Sequence, residues 1–263
     1  MKNRRINSLR DLRNKKCIVY HYCPCWAFEN IIRTREFWFS SKTNSNDEIE
    51  FQIPELILKE LKDMSDFSSK IEMIDSCISY LQQKTKEIFM LSFSLDGDKL
   101  SQWRSYADDG RGFAIGIETE LTYVNSFRET PKVQQNSPYI FMKVLYHNVS
   151  DLKKELVHRM LKMEWEDIDQ FKRDLIYYAA GSKYCKFYEE EEVRLVCFSP
   201  KETQTRLSPQ GPMEYISLPI PVEQKLYITI GPKNACTQEE IKKFLEIHGF
   251  KDTLVLPAIQ HYK

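Results

Sequence analysis

The chain has 263 residues, 42% of them hydrophobic and 13% aromatic, which is ample for a large core and too apolar for global disorder. Its 38 Lys and Arg balance 38 Asp and Glu, so the formal net charge is zero, which argues against a protein that binds nucleic acid over its whole surface. No apolar run approaches the roughly 18 residues of a membrane-spanning helix, and the N-terminal segment lacks the apolar stretch of a secretory signal.

Residues 1–16 form a basic arm, with Lys2, Arg4, Arg5, Arg10, Arg13, Lys15 and Lys16 set against the single acid Asp11. Such an arm is either a solvated tail or a docking segment for an acidic partner, RNA or DNA. CIVYHY (17–22) reads as a strand. Alternation puts His21 on the face of Cys17 and Val19, with Tyr20 and Tyr22 opposite. A histidine there is either a hydrogen-bonded structural residue or a donor facing a ligand. Cys23-Pro24-Cys25 is too tight for a zinc knuckle and no second CxxC follows. The seven cysteines are an odd number. Cys17, Cys185 and Cys197 lie in strand-like surroundings and read as small core residues, and the cytosol is the default compartment.

WAFENIIRTR (26–35) carries Phe28, Ile31 and Ile32 at the spacing of a helix packed on a sheet. EFWFSS (36–41) is a strand with Trp38 and Ser40 on one face. In the polar turn after it, Asn46 and Asp47 either cap a helix over 48–60 or contact a sugar. Residues 54–87 and 150–180 are helical blocks, the second closed by Gly181. IFMLSFS (88–94), GFAIGIE (112–118), YIFMKVLYH (139–147) and MEYISLPI (213–220) are strands. SQWRSYADDGRG (101–112) reads as a short helix capped by Ser101, with Trp103 and Tyr106 on one side, and then a turn at Asp109-Gly110. Phosphate-loop patterns are absent, so these aromatics either stack on a planar ring or close the core.

KFYEEEEVRL places four glutamates at a strand entrance. If 190–198 is a strand, Glu190, Glu192 and Arg194 share one face, while Val193, Leu195 and Cys197 share the packed one. The charged face is either the guarded edge of a sheet or the wall of a cleft. KLYITIGPKN then leads to a helix over 238–248, opened by the capping box Thr237/Glu240 and closed by Gly249, and TLVLP (253–257) resumes as a parallel strand. The five histidines show neither HxH nor HExxH spacing, so no metal centre is expected. The whole reads as one α+β domain over 1–263, with a mixed or antiparallel sheet, helical insertions at 54–87 and 150–180, and a C-terminal β-α-β unit.

The order YHY, FWFSSKTNSNDEIE, SQWRSYADDGRGFAIGI, KFYEEEEVRL and LYITIGPKN resembles the bacterial family known as domain of unknown function 2971. Val193 stands where that family usually has an aromatic. The motif order is remotely similar to the mono-ADP-ribosyltransferase superfamily, which implies a sheet core of that type and NAD as substrate. Carried over by position, the resemblance makes Glu192 the carboxylate facing the ribose and Glu190 the residue that orients or deprotonates the acceptor. It makes His21 a donor to the adenosine ribose, with Tyr22, Ser40, Trp103 and Tyr106 around the cofactor. Arg194 keeps the glutamates ionised or binds phosphate. The implied function is ADP-ribose transfer to a macromolecular acceptor, protein or nucleic acid, in a toxin or an anti-phage defence effector. The alternative is a non-catalytic module on the same fold that binds nucleotide, RNA or protein.

Overall fold

The computed structural model describes residues 16–41, 50–123, 139–208 and 211–259. The basic arm up to residue 15, and Asn46 and Asp47 with the start of the helix expected at 48, lie outside the described residues. In chain order the elements are β1 (Lys16–Cys23), α1 (Cys25–Thr34), β2 (Glu36–Ser41), α2 (Ile53–Lys62), α3 (Ile71–Lys84), β3 (Ile88–Ser94) and α4 (Leu100–Tyr106). Next come β4 (Phe113–Glu120), β5 (Thr122–Tyr123), β6 (Tyr139–Lys143), β7 (Leu145–His147), α5 (Val149–Lys162), α6 (Ile168–Gly181) and β8 (Ser182–Tyr184). The chain closes with β9 (Glu192–Phe198), β10 (Gln204–Ser208), β11 (Gly211–Pro219), β12 (Leu226–Ile230), α7 (Gln238–Ile247) and β13 (Thr253–Pro257). This is an α+β architecture built on a mixed sheet.

Among the described residues eleven strands form one sheet, with the path β10-β11-β2-β3-β1-β4-β12-β13; β9 pairs with the other edge of β3, and β6 and β5 follow it. The edge of β3 away from β9 is divided between two partners. Met90 and Phe89 pair with Ser40 and Ser41 of β2, whereas Ser94 pairs with Tyr20 of β1. Between those ends β1 and β2 diverge, and the candidate site opens there.

Among the described residues two large cores hold the sheet, with a smaller one of Tyr22, Trp103, Ala107, Ala114 and Ala258. On one face α2, α3, α5 and α6 pack against Ile88, Ile140, Met142 and Val196. The two helical blocks therefore merge into a single layer. On the other face Phe28, Ile31 and Ile32 of α1 and Ile241 and Leu245 of α7 meet Phe39, Phe93, Ile115, Leu195 and Ile228. The apolar stripe of α1 falls at the expected positions because only those side chains point at the sheet. β12 and β13 are parallel, with α7 between them. Among the described residues no helix is long and apolar enough to cross a membrane.

Three expectations change. The run 139–147 divides at Val144, whose N–H still donates to the Glu192 carbonyl at 3.0 Å before the chain leaves the main sheet for the pair β7–β8. β10 was not expected, because QTRLS lacks an apolar alternation; it pairs in a hairpin with β11, and its Arg206 reaches Ser40 and Trp38 of β2. Ser101 lies inside α4 rather than capping it. Lys99 is the N-cap, and its N–H is fixed by a tertiary bond of 2.9 Å to the Tyr22 hydroxyl.

Candidate functional site

The divergence of β1 from β3 leaves a small open cleft of about 70 Å³ lined by Tyr20, His21, Tyr22, Ser92, Phe93, Gln102, Tyr106, Glu190 and Glu192. β1 supplies the tyrosines and His21, β3 supplies Ser92 and Phe93, α4 forms the roof, and the start of β9 brings the carboxylates. The Tyr20 wall is fixed by bare backbone. A Cβ on Gly97 or Gly116 would stand 2.5 Å or 2.7 Å from its ring, so both positions exclude a side chain. Tyr22 is held by its hydroxyl, which donates to the Asp96 carbonyl at 2.8 Å and accepts from Lys99 N–H.

The strand expected from 190 begins at Glu192. Glu190 ends a 3₁₀ turn, and Glu191 sits in the left-handed region with φ 46°. That bend breaks the alternation between 190 and 192, yet both carboxylates line the cleft. Lys183 ties them together, donating to Glu190 Oε2 at 2.7 Å and to Glu192 Oε2 at 3.3 Å.

Glu192 is 5% exposed, and each carboxylate oxygen accepts two bonds. Oε1 takes the Ser92 hydroxyl at 2.7 Å and Arg194 Nε at 2.9 Å. Oε2 takes Arg194 Nη2 at 3.0 Å along with Lys183. Burial alone would raise the pKa of this carboxyl. Arg194, Lys183 and the Ser92 hydroxyl outweigh burial and hold it down at about 2, so it is an anion throughout the physiological range. The Glu192 backbone N–H is satisfied by the Tyr146 hydroxyl at 2.8 Å.

His21 is bonded from Nδ1 to the Ser92 carbonyl at 3.0 Å. A carbonyl only accepts, so Nδ1 carries the proton. Burial lowers the pKa of the imidazole, with the Ser92 bond acting the other way, and His21 is neutral at pH 7. Nε2 is then an acceptor. A sugar hydroxyl would donate to it, the reverse of the donor role that the resemblance implies. The register pairs His21 with Ile115 and Glu192 with Ser94, which in turn faces Tyr20, so the imidazole and the carboxylate belong to opposite faces of the sheet. The ring packs edge-on to Phe37, with centroids 6.0 Å apart, and tilted to Phe93. Ser92 joins the two residues, its carbonyl to His21 and its hydroxyl to Glu192.

The expected residues therefore separate into two groups. Glu192, Glu190, His21, Tyr22 and Tyr106 line one cleft. Ser40 does not; it lies on β2 beside Met213 and Arg206, under the Trp38–Tyr215 ring pair. Trp103 is fully buried, edge-on to Tyr22 at 4.8 Å with its indole N–H on Asp98, and is a core residue. Arg194 is 1% exposed, bonds the Ala180 carbonyl as well as Glu192, and faces the Phe51 ring. It keeps Glu192 ionised and does not reach the cleft to meet a phosphate. Sequence reasoning missed Ser92, Gln102, Tyr146 and Lys183. Only Lys183 carried a local signal, a lysine at the head of the glutamate run. Among the described residues no group of three or more His, Cys, Asp or Glu side chains is arranged to hold a metal ion.

Residues 102–195 match the family model described as Protein of unknown function (DUF2971). That span runs from α4 through most of β9 and includes Gln102, Tyr106, Glu190 and Glu192, which supports the family resemblance there. No curated protein and no solved structure matches the chain, so the remoter likeness to ADP-ribosyltransferases rests on motif order.

Proposed function

We propose that the cleft binds NAD as a substrate and that the protein transfers ADP-ribose to a macromolecular acceptor, the role of a toxin or anti-phage effector. The observation that carries this reading is Glu192, an anchored anion on the wall of an aromatic cleft. Breaking the nicotinamide–ribose bond moves positive charge onto the sugar as neutral nicotinamide leaves. A carboxylate fixed beforehand stabilises that charge where the ground state lacks it. At about 4 Å and an effective dielectric near 20, the attraction is about 4 kcal/mol, close to three decades of rate. Arg194 and Lys183 draw on the same charge and reduce that figure. Glu190 orients or deprotonates the incoming nucleophile, Tyr106 offers an aromatic face, and His21 accepts from a ribose hydroxyl.

A second reading, a non-catalytic binding module, is favoured by a specific feature. Both Glu192 oxygens are already occupied by Ser92, Arg194 and Lys183, and His21 belongs to the opposite face. Incubation with NAD while following free nicotinamide separates the two. Turnover by the native chain that is lost in Glu192→Gln, with Glu192→Gln still melting cooperatively, supports transfer. No release, and no rise in melting temperature at millimolar NAD, sinks it in favour of the module.

A further inference from the structure

Three segments of the chain meet beyond the end of α4. They are the connection from β1 to α1 at residues 23–25, the turn at residues 108–112, and the loop from β12 to α7 at residues 231–237. Gly231 N–H donates to the Gly112 carbonyl at 3.0 Å, and Lys233 N–H donates to the Gly110 carbonyl at 2.9 Å. Asn234 joins all three segments. Its Nδ2 donates to Cys25 Sγ at 3.6 Å and to the Gly112 carbonyl at 3.3 Å, while its Oδ1 accepts from the Cys236 backbone N–H at 2.9 Å. One carboxamide thus holds a thiol at one end and the backbone of a second cysteine at the other, although Asn234 and Cys25 lie 209 positions apart in sequence.

Cys25 and Cys236 are both exposed and both are free thiols. The Cys25 thiol is pushed up, first by burial and next by Cys236, because two thiolates side by side repel. A bond between the sulfurs removes that repulsion. The other cysteines are poor competitors. Cys77 and Cys197 are buried, and Cys17 and Cys185 are partly so. Cys23, nearest in sequence to Cys25, packs in the core with its thiol pushed up by burial. Neither member of the exposed pair lines the cleft, so the site stands apart from the NAD reading.

We propose that Cys25 and Cys236 form a redox-active dithiol, an exchange site for small-molecule disulfides that closes into a cross-link between α1 and the loop before α7. The thiolate of one cysteine, its proton given to water, attacks a sulfur of oxidised glutathione, and the first glutathione leaves as a thiolate. That thiolate takes the proton of the second cysteine, which attacks the protein sulfur of the mixed disulfide. The second glutathione leaves and recovers a proton from water. Two protein thiols are oxidised and one small disulfide is reduced to two thiols. Closure costs the bond from Cys25 to the Arg111 carbonyl, which Asn234 Nδ2 also reaches.

The test treats the folded full chain with oxidised glutathione, alkylates the remaining thiols, and maps every cysteine by mass spectrometry without reduction. The expected product is a peptide pair linking Cys25 to Cys236, at least about tenfold more abundant than chains that keep glutathione on either residue. The melting temperature should rise by roughly 5–10 °C, since the link closes a very long loop, and fall back on reduction with dithiothreitol. Cys236→Ser should trap glutathione on Cys25, and Cys25→Ser should trap it on Cys236, with neither variant gaining stability. Glutathione kept on both cysteines of the native chain overturns the proposal, because the sulfurs then do not meet. An unmodified chain overturns it too, as does a link from Cys25 to Cys23. So does a Cys25–Cys236 link that forms only in urea, since the folded junction would not have brought the thiols together.

Discussion

The stretch from Leu226 to Pro257 delivers two strands and the stretch from Ser182 to Phe198 one to the same sheet, by opposite means. The first obeys local rules throughout. Thr237 and Glu240 form a reciprocal capping box, Ile241 and Leu245 form the buried stripe of α7, and Gly249 takes φ +85° where the helix ends. The second breaks local rules. It puts a non-glycine residue, Glu191, at φ 46° and buries Glu192, Arg194 and Lys183. Bonds to Ser92 and to the Ala180 carbonyl complete the network. A segment that obeys local rules needs little from the rest of the chain. A segment that breaks them is held by long-range polar contacts, and those contacts also keep a carboxylate charged beside a cleft.

The largest effect should come from cutting that network. Arg194→Met leaves Glu192 buried without its bidentate partner and should cost about 3–5 kcal/mol in urea unfolding. The double variant Glu192→Gln/Arg194→Met should lose less, because no stranded charge remains. A single-variant loss below about 1 kcal/mol would mean that the pair does not hold the segment. Acid should reach the same network. The folded pKa of Glu192, about 2, lies below its ordinary 4.5, so the stabilisation is present above pH 4.5 and is lost as pH falls toward 2. His21 has the same sign at higher pH, since protonating its partly buried, neutral imidazole opposes folding as pH falls below its ordinary 6.5. Denaturation midpoints from pH 7 to 2, with Glu192→Gln flatter than the native chain at the acid end, check this. The smallest effect belongs to the regular stretch: Thr237→Ala should cost about 1 kcal/mol through the lost cap. It should leave any NAD turnover unchanged, and a change in turnover would show that the two stretches are coupled.

The same contrast marks how far the sequence could be read. The stripe Phe28-Ile31-Ile32, the Thr237/Glu240 box and the strand Thr253–Pro257 are set by neighbours within a few residues, and each appears where patterning puts it. The shared face of Glu192 and Arg194 was legible from alternation as well. The start of β9 was not, because the bend at Glu191 serves contacts to the connection between β3 and α4, including Leu95 N–H to the Glu191 carbonyl and Lys99 to its carboxylate. Ser92 lies 100 positions from Glu192, and no local period could pair them. Trp103 and Tyr106 were read as neighbours on one side of a helix, yet Trp103 is fully buried while Tyr106 is 44% exposed. Which of the two met the cleft depended on where β1 left β3.

That Ser92 bonds His21 through its main chain and Glu192 through its side chain makes the two attachments genetically separable. Ser92→Ala deletes the hydroxyl and keeps the carbonyl, removing one of the four bonds to the acid while the imidazole stays tethered. Replacing His21 with phenylalanine does the converse. One small residue thus offers a pair of orthogonal handles, with which the contribution of each sheet face can be weighed while the other is left intact.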